Sequence, residues 1–274
     1  MSVSEIGPTG RRRARGLLSN LESGARVEAR SLSPPERLRD VVERFWVGRW
    51  DLPPGEPHVT ELLGDPCVHV VIEHGKSRVV GVWTRLWTNT LRGRGHVRAA
   101  KLRAGAVRAF FDVQARALSD GIRPLGELFS VDVAQLEGEV LEPAEHLGLE
   151  RLAQLLSSHR RARESTSVAR AVQVARCLRE PDLYTVKALA RRCEMSPRAV
   201  QRMFRRHVGA SPKALLRRVR LQDAAARLEH GADANFARLA AELGYADQAH
   251  FARDFRAAVG RTPSEARDTI TRGG

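Results

Sequence analysis

Two periodicities divide the chain. Between residues 47 and 111, apolar residues alternate with polar ones or gather in short β-branched runs: VGRWDL (47–52), CVHVVIE (67–73), SRVVGVWT (77–84) and HVRAAKLRAG (96–105). Alternation sends successive side chains to opposite faces of a strand, and the PPGEP segment and His74-Gly75 supply turns. These runs predict an antiparallel sheet or a small barrel-like domain. Pro34-Pro35 opens ERLRDVVERFW, which reads as a short helical pattern or as a lead-in to Trp46, and residues 124–141 read as short helices with loops. Leu147 to Arg163 reads as a helix with Leu149, Leu152, Leu155 and Leu156 on one face. From Val168 onward the period is helical, and caps mark the elements. VARAVQVARCLRE stops at Pro181, and Thr185 opens VKALARRC. Ser196-Pro197 opens PRAVQRMFRRH, which Gly209 ends, and Ser211 opens a long helix from Pro212 to about His230. Asn235 opens FARLAAEL, Asp247 opens QAHFARDFRAAV as far as Gly260, and Thr262-Pro263 starts a last short helix.

The pattern therefore predicts an α+β chain. A basic, disordered tail (1–33) precedes a mainly antiparallel β domain (34–164). An all-α region (165–272) follows. That region contains a repeat: LARRCEMSPRAVQRMFRRHVGASP (189–212) and LAAELGYADQAHFARDFRAAVGRTP (239–263). Phe204 and Phe255, Gly209 and Gly260, and Pro212 and Pro263 each stand 51 apart, while Leu189 and Leu239 stand 50 apart. The second copy thus has one extra residue at its turn. Each copy has the form of a helix-turn-helix, in which a first helix braces a second that enters the major groove. Ala190 and Ala240 are small enough for close packing of the brace. Val200 and Phe204, and Phe251 and Phe255, give the second helix an apolar inner face. The outer face carries Arg198, Gln201, Arg202 and Arg205 in the first copy and Gln248, Ala249, His250 and Arg253 in the second. Arg matches guanine O6/N7 and Gln matches adenine N6/N7. The helix between the copies, about 28 Å long by its rise, can set two reading helices roughly one DNA turn, about 34 Å, apart. A monomer can then meet successive grooves.

Charge strengthens this reading. The net charge is +14, and residues 165–274 hold 21 Lys+Arg against 11 Asp+Glu. Pro197 to Arg220 has eight basic residues and no acidic one, which favours a polyanion. Arg217, in that stretch, is expected to meet phosphate. Total Arg is a weaker signal, because 42 Arg against four Lys reflects composition.

The repeat, the intervening PKALLRRVRLQDAAARL and the signature FARLAAELGYADQAHFARDFRAAVGRTPSEAR resemble the AraC/XylS family of bacterial transcription regulators over about residues 168–270. The resemblance implies that both reading helices contact bases. By position, Arg198, Gln201 and Arg202 are the base readers of the first, and Gln248, Ala249, His250 and Arg253 those of the second. It also implies promoter DNA and RNA polymerase as partners, a small-molecule effector or a second copy of the chain as further ones, an activator's role and a cytoplasmic, nucleoid-associated location. Glu194 departs from the family pattern, standing where the first turn often has Gly. ERFWVGRWDLPPGEPHVTELLGDPCVHVVIEHG and VRAAKLRAGAVRAFF are more loosely similar to a cupin-like β-domain of uncharacterised function, whose implied role is effector binding or dimerisation. The alternative is a constitutive DNA binder whose N-terminal domain only dimerises.

Other chemistries find little support. Cys67, Cys177 and Cys193 lack CxxC spacing, so neither a disulfide framework nor a zinc finger is expected. His58, His69, His74 and His96, with Glu61 and Glu73, lack the tight spacing of a metal site. Trp46, Trp50, Trp83 and Trp87 read as core. No GxSxG, HExxH, phosphate loop or paired-acid motif occurs, no cofactor is expected, and the chain reads as a non-enzyme without a membrane span.

Overall fold

The computed structural model describes residues 8–9, 27–64, 66–180, 183–229 and 235–271. In chain order the strands are β1 (Pro8–Thr9), β2 (Val27–Leu32), β3 (Val42–Asp51), β4 (His58–Leu62), β5 (His69–Ile72), β6 (Arg78–Val80), β7 (Trp87–Leu91), β8 (Arg94–Leu102) and β9 (Ile122–Pro124). Among the described residues they divide between a seven-stranded antiparallel sheet, β1-β2-β3-β8-β5-β6-β9, and a separate ribbon, β4-β7. Helices follow: α1 (Val133–Leu141), α2 (Glu145–Ser158), α3 (Ser165–Arg176), α4 (Val186–Arg192), α5 (Pro197–Met203), α6 (Pro212–Glu229), α7 (Phe236–Glu242), α8 (Gln248–Val259) and α9 (Pro263–Thr271). An antiparallel β region followed by helices is the order the periodicities predict.

Two local expectations change. Val27–Leu32 was expected to lie in the disordered tail, but it pairs with β3 along its length, from Val27↔Trp50 to Leu32↔Phe45. Its Glu28 and Arg30 are exposed and Leu32 is buried, and Arg30 pairs with Glu145 of α2. The rest of that tail, including the RRRAR run, lies outside the described residues except for Pro8–Thr9. Of the two readings of ERLRDVVERFW, the helical one reduces to one 3-10 turn at Glu36–Leu38, and the segment leads into the strand that carries Trp46. Val42 and Phe45 are fully buried in the central strand that begins there, and sheet burial outweighs the local helical spacing. The register shift between Val42 and Arg44 aims the bulged Glu43 at Lys101 Nζ, 2.9 Å away.

One face of the sheet (Phe45, Val47, Val70, Ile72, Ala100 and Leu102) packs beneath the helices, with Phe111 and Phe129. The opposite face carries Trp46, Trp50, Val71, Val97 and Ala99. Trp50 lies over Gly95, where a Cβ would meet its ring at 2.3 Å. Trp46 and Trp50 are only half-buried on this face, and Trp50 also lines an open cleft. Buried Arg98 donates from Nη2 to Pro143 O (2.9 Å) and from Nη1 to Val140 O, tying the α1–α2 connection to the sheet.

The apolar core does not stop near residue 164. It runs from the sheet through α2 and α3 into α4, α5 and the first half of α6, taking in Leu189, Val200, Phe204, Leu215 and Leu216. Gly105 makes this contact close: its φ is +96°, and a Cβ there would lie 2.7 Å from the Ala171 carbonyl carbon. The second half of α6, with α7, α8 and α9, builds a separate core around Phe251 and Phe255. Among the described residues no helix is long and apolar enough to cross a membrane.

Candidate nucleic-acid interface

The interface begins with its caps. Thr185 accepts from Ala188 N (3.0 Å), Ser196 from Ala199 N (3.2 Å), Asn235 from Arg238 N (3.0 Å) and Asp247 from His250 N (2.6 Å). Each satisfies a helix N–H that would otherwise lack an intrahelical partner and stabilises its helix by about 1 kcal/mol. Ser211 likewise accepts from Ala214 N (3.2 Å) at the start of α6. Gly209 and Gly260 end the reading helices at φ +106° and +81°, a left-handed conformation open to glycine. The capping pattern expected from the sequence is the one that forms.

The two units share a plan. Leu189 and Ala190 of α4, and Leu239 and Ala240 of α7, are buried against the inner faces of α5 and α8. Val200, Phe204, Phe251 and Phe255 are all fully buried. This holds the opposite faces outward: Arg198, Gln201, Arg202 and Arg205 are exposed, as are Gln248, Ala249, His250 and Arg253. The Arg and Gln side chains of both sets make no hydrogen bond or ion pair with the other described residues. That freedom contrasts with Arg108, Arg160, Arg161, Arg192 and Arg227, each paired with a carboxylate. His250 packs its ring edge on Tyr245, with centroids 5.2 Å apart.

Other basic residues of the acid-free stretch point elsewhere. Arg217, expected at phosphate, is turned toward α8, with Nε 2.9 Å from Asp254 Oδ2. Arg220 lies over the Tyr245 ring at 4.6 Å. Arg218, which reads from sequence as a solvated or phosphate-binding charge, is only 5% exposed. Its guanidinium donates to the carbonyls of Gly64 (2.6 Å), Thr84 (3.1 Å) and Arg85 (2.7 Å). A buried, hydrogen-bonded Arg has the same sequence signature as an exposed one, so only the fold separates them.

The units also differ. Past Met203 the first reading helix widens into a π turn, Phe204–Val208, whereas α8 is α-helical to Val259. On that turn His207 is buried, and burial first, then the charges of Arg206 and Arg108, lower its pKa to about 4. Glu164 sits beside them, 2.6 Å from Arg108 and 3.6 Å from Arg206. The Arg108 hydrogen bond, together with that from Ser167, holds its carboxyl down to about 2 despite an opposing desolvation. In the first turn Glu194 takes φ +53°; its counterpart Gly244 takes +70°.

Burial, followed by the neighbouring Cys193 thiol, pushes the Cys177 thiol up to about 12, which keeps it protonated and a poor nucleophile. His74 and His96 pack edge to face at 6.0 Å. Among the described residues no three His, Cys, Asp or Glu side chains are grouped as a metal ion requires. An open cleft of about 840 Å³ lies beside this pair, lined by Trp50, Arg49, Glu73 and Glu145 among others.

Residues 189–269 match a helix-turn-helix domain model, and residues 30–123 match a domain of unknown function, DUF6597. The chain is 35% identical over 86 residues to an uncharacterized HTH-type transcriptional regulator of Haemophilus influenzae, covering 31% of this chain and 28% of that protein. It is 36% identical over 81 residues to the HTH-type transcriptional activator RhaS of Escherichia fergusonii, covering 30% and 29%. The chain thus spans under a third of the length of these relatives. Among solved structures, the C-terminal domain of AraT, a response regulator from Geobacillus stearothermophilus, aligns with a TM-score of 0.31 at 28% identity, over 35% of this chain and 78% of that one. Unsaturated fatty acid-bound ToxT from Vibrio cholerae aligns with a TM-score of 0.39 at 9% identity, over 81% and 94%.

Proposed function

We propose, from the premise that residues 189–269 form a helix-turn-helix domain of the AraC type, that this chain is a sequence-specific transcription regulator reading two successive major grooves of promoter DNA. The observation that carries this reading is the pair of exposed polar faces whose Arg and Gln side chains have no hydrogen-bond or ion-pair partner among the described residues, each held outward by a fully buried Phe pair or Val–Phe pair. Arg198, Gln201 and Arg202 read bases through α5, and Gln248, His250 and Arg253 through α8. Ala249 offers at most a methyl contact to thymine. Arg205 meets phosphate, and Arg217 holds α8 against α6. The chain works in the cytoplasm, at the nucleoid, as a non-enzymatic activator that meets RNA polymerase at the promoter.

The test is footprinting of an operator enriched from random duplexes by the full chain. Protection of two grooves one turn apart is expected. Arg202→Ala and Arg253→Ala should each cost about 1–3 kcal/mol and relax preference at one groove only. Protection of a single groove, or equal weakening on specific and random DNA, would refute the assignment.

The N-terminal region (34–164) is assigned to effector sensing, with the open cleft near His74 and His96 as the first place to look. The competing reading is a constitutive regulator whose N-terminal region only pairs two copies. A ligand screen by thermal shift on the full chain separates them: a ligand that raises the Tm and alters operator affinity supports sensing. Regulation unchanged by any metabolite pool, together with a dimer in solution, supports the other.

A further inference from the structure

The β4–β7 ribbon has an attachment that its own sheet does not explain. Its strands pair only with each other among the described residues, in a register running from His58↔Leu91 to Leu62↔Trp87. Leu63–Gly64 and Thr84–Arg85 therefore lie toward the same end of the ribbon. That end is fastened to α6. Arg218 donates to the carbonyls of Gly64, Thr84 and Arg85, and Gln222 Nε2 donates to Leu63 O at 2.7 Å. Arg218 and Gln222 are four residues apart on one helical face and are 5% and 2% exposed. Two buried polar side chains thus capture four carbonyls on both sides of the ribbon, and removing either donor leaves buried acceptors unsatisfied.

Two further contacts reach past α6. Leu63, fully buried, belongs to the core of the second unit with Leu221, Ala225, Leu239, Phe251 and Phe255. Glu61 on β4 pairs with Arg261, the residue that follows the Gly260 end of α8. The ribbon so grips the middle of α6, the core beneath α8 and the exit of α8. None of these contacts covers Gln248, His250 or Arg253, which remain exposed.

We propose that the β4–β7 ribbon is a positioning element for the second reading helix. It fixes where α8 stands relative to α5, so reading of the second groove depends on a segment more than 150 residues before α8 in the chain. This rests on the two-groove reading above. Helix α6 already shares the second core and meets α8 through Arg217 and Asp254; the ribbon adds a further brace, from the α6 midpoint to the α8 terminus. Leu63, Arg218, Gln222 and the Glu61–Arg261 pair are positioning residues that act through α8.

The experiment uses the full chain and three duplexes: the enriched operator, the same operator with its first half-site scrambled, and the same with its second half-site scrambled. Leu63→Ala and Gln222→Ala should weaken binding to the intact operator by roughly tenfold. On DNA whose second half-site is already scrambled they should bind like the wild type. Glu61→Arg should reproduce the selective loss, and Glu61→Arg with Arg261→Glu should recover discrimination, an outcome that general unfolding cannot mimic. Equal losses on all three duplexes, or full discrimination retained in every variant, would overturn the proposal. If the wild type itself ignores scrambling of the second half-site, the two-groove reading fails, and this inference with it.

Discussion

The two helix-turn-helix units carry side-chain caps at matching positions, a matching buried Phe and matching glycine ends, yet they are embedded differently. The core of the first is continuous with the sheet, through α3 and the first half of α6. The core of the second is separate and takes a single buried residue, Leu63, from the N-terminal region. Their reading faces differ too. The first is rich in Arg and free of acid, while the second includes Ala249 and lies beside Asp254, which is held by Arg217. A duplicated motif can therefore keep its local chemistry and diverge in what it is attached to. The first unit is a fixed part of the body; the second is held by a few identifiable contacts.

The largest test of that difference removes the matching Phe from each unit. Phe204→Ala and Phe255→Ala should each cost about 3–5 kcal/mol, since both side chains are fully buried. All four Trp lie between residues 46 and 87, so Trp fluorescence reports the N-terminal region while circular dichroism weights the helices. In denaturant melts Phe204→Ala should shift both signals together. Phe255→Ala should split them, the helical signal falling first. Coincident shifts in both variants would mean one cooperative unit and end the distinction.

Much of this was legible in the sequence, because it rests on local chemistry. A Ser, Thr, Asn or Asp placed before an apolar period can cap only the helix that follows, and Thr185, Ser196, Asn235 and Asp247 all do so. Burial of one face by Phe204 and Phe255 decides which face is left for DNA. What escaped the sequence depends on distant partners. HVTEL and WTNTL alternate with Thr, Asn and Glu, so the ribbon lacks an apolar signature. Arg218 and Gln222 look like solvated residues of a basic helix until Gly64 and Leu63 are brought to them. The continuity of the first core across residue 164 likewise depends on Gly105 meeting Ala171, contacts that no spacing predicts.

Acid offers a second way to separate the units. His207 is buried in the first, and its counterpart 51 residues on is Ala258. With a pKa lowered to about 4 from an ordinary 6.5, His207 is neutral in the folded state while the unfolded chain takes up its proton. Stability is then whole above pH 6.5, falls as pH drops from about 6.5 toward 4, and stops changing on this account below that. The loss should reach roughly 2–3 kcal/mol. Glu164, lowered to about 2 from 4.5, adds a further loss at lower pH, as it protonates and releases Arg108. A His207→Gln variant should show a flatter profile between pH 6.5 and 4; an unchanged profile would remove His207 from the account.

The turns give a smaller and opposite pair of effects. Glu194 sits at φ +53°, a conformation that costs an L-residue about 1–2 kcal/mol, partly offset in a Gly variant by the freedom of the unfolded chain. Glu194→Gly should raise stability by about 0.5–1 kcal/mol. Gly244→Ala should lower it, because its Cβ would lie 2.6 Å from the Tyr184 ring as well as at φ +70°. The two variants moving in the same direction would mean that the turns are held by something other than their backbone.

The smallest effect on stability, and the sharpest for function, concerns Arg217. Its ion pair with Asp254 is partly exposed, so Arg217→Ala should cost less than about 1 kcal/mol of folding. Its effect on DNA depends on which partner counts. As a phosphate ligand, Arg217 would weaken all sequences alike and lower the salt slope by about 0.9. As a brace between α6 and α8 it leaves the slope unchanged and loses discrimination only at bases beneath α8. The 2.9 Å approach of Nε to the Asp254 carboxylate favours the brace. Arg217→Asp with Asp254→Arg should restore what either single change removes, since the pair is rebuilt with its ends exchanged. A phosphate ligand cannot be rescued in that way, so the double variant decides whether the strut merely separates the two readers or also orients the second.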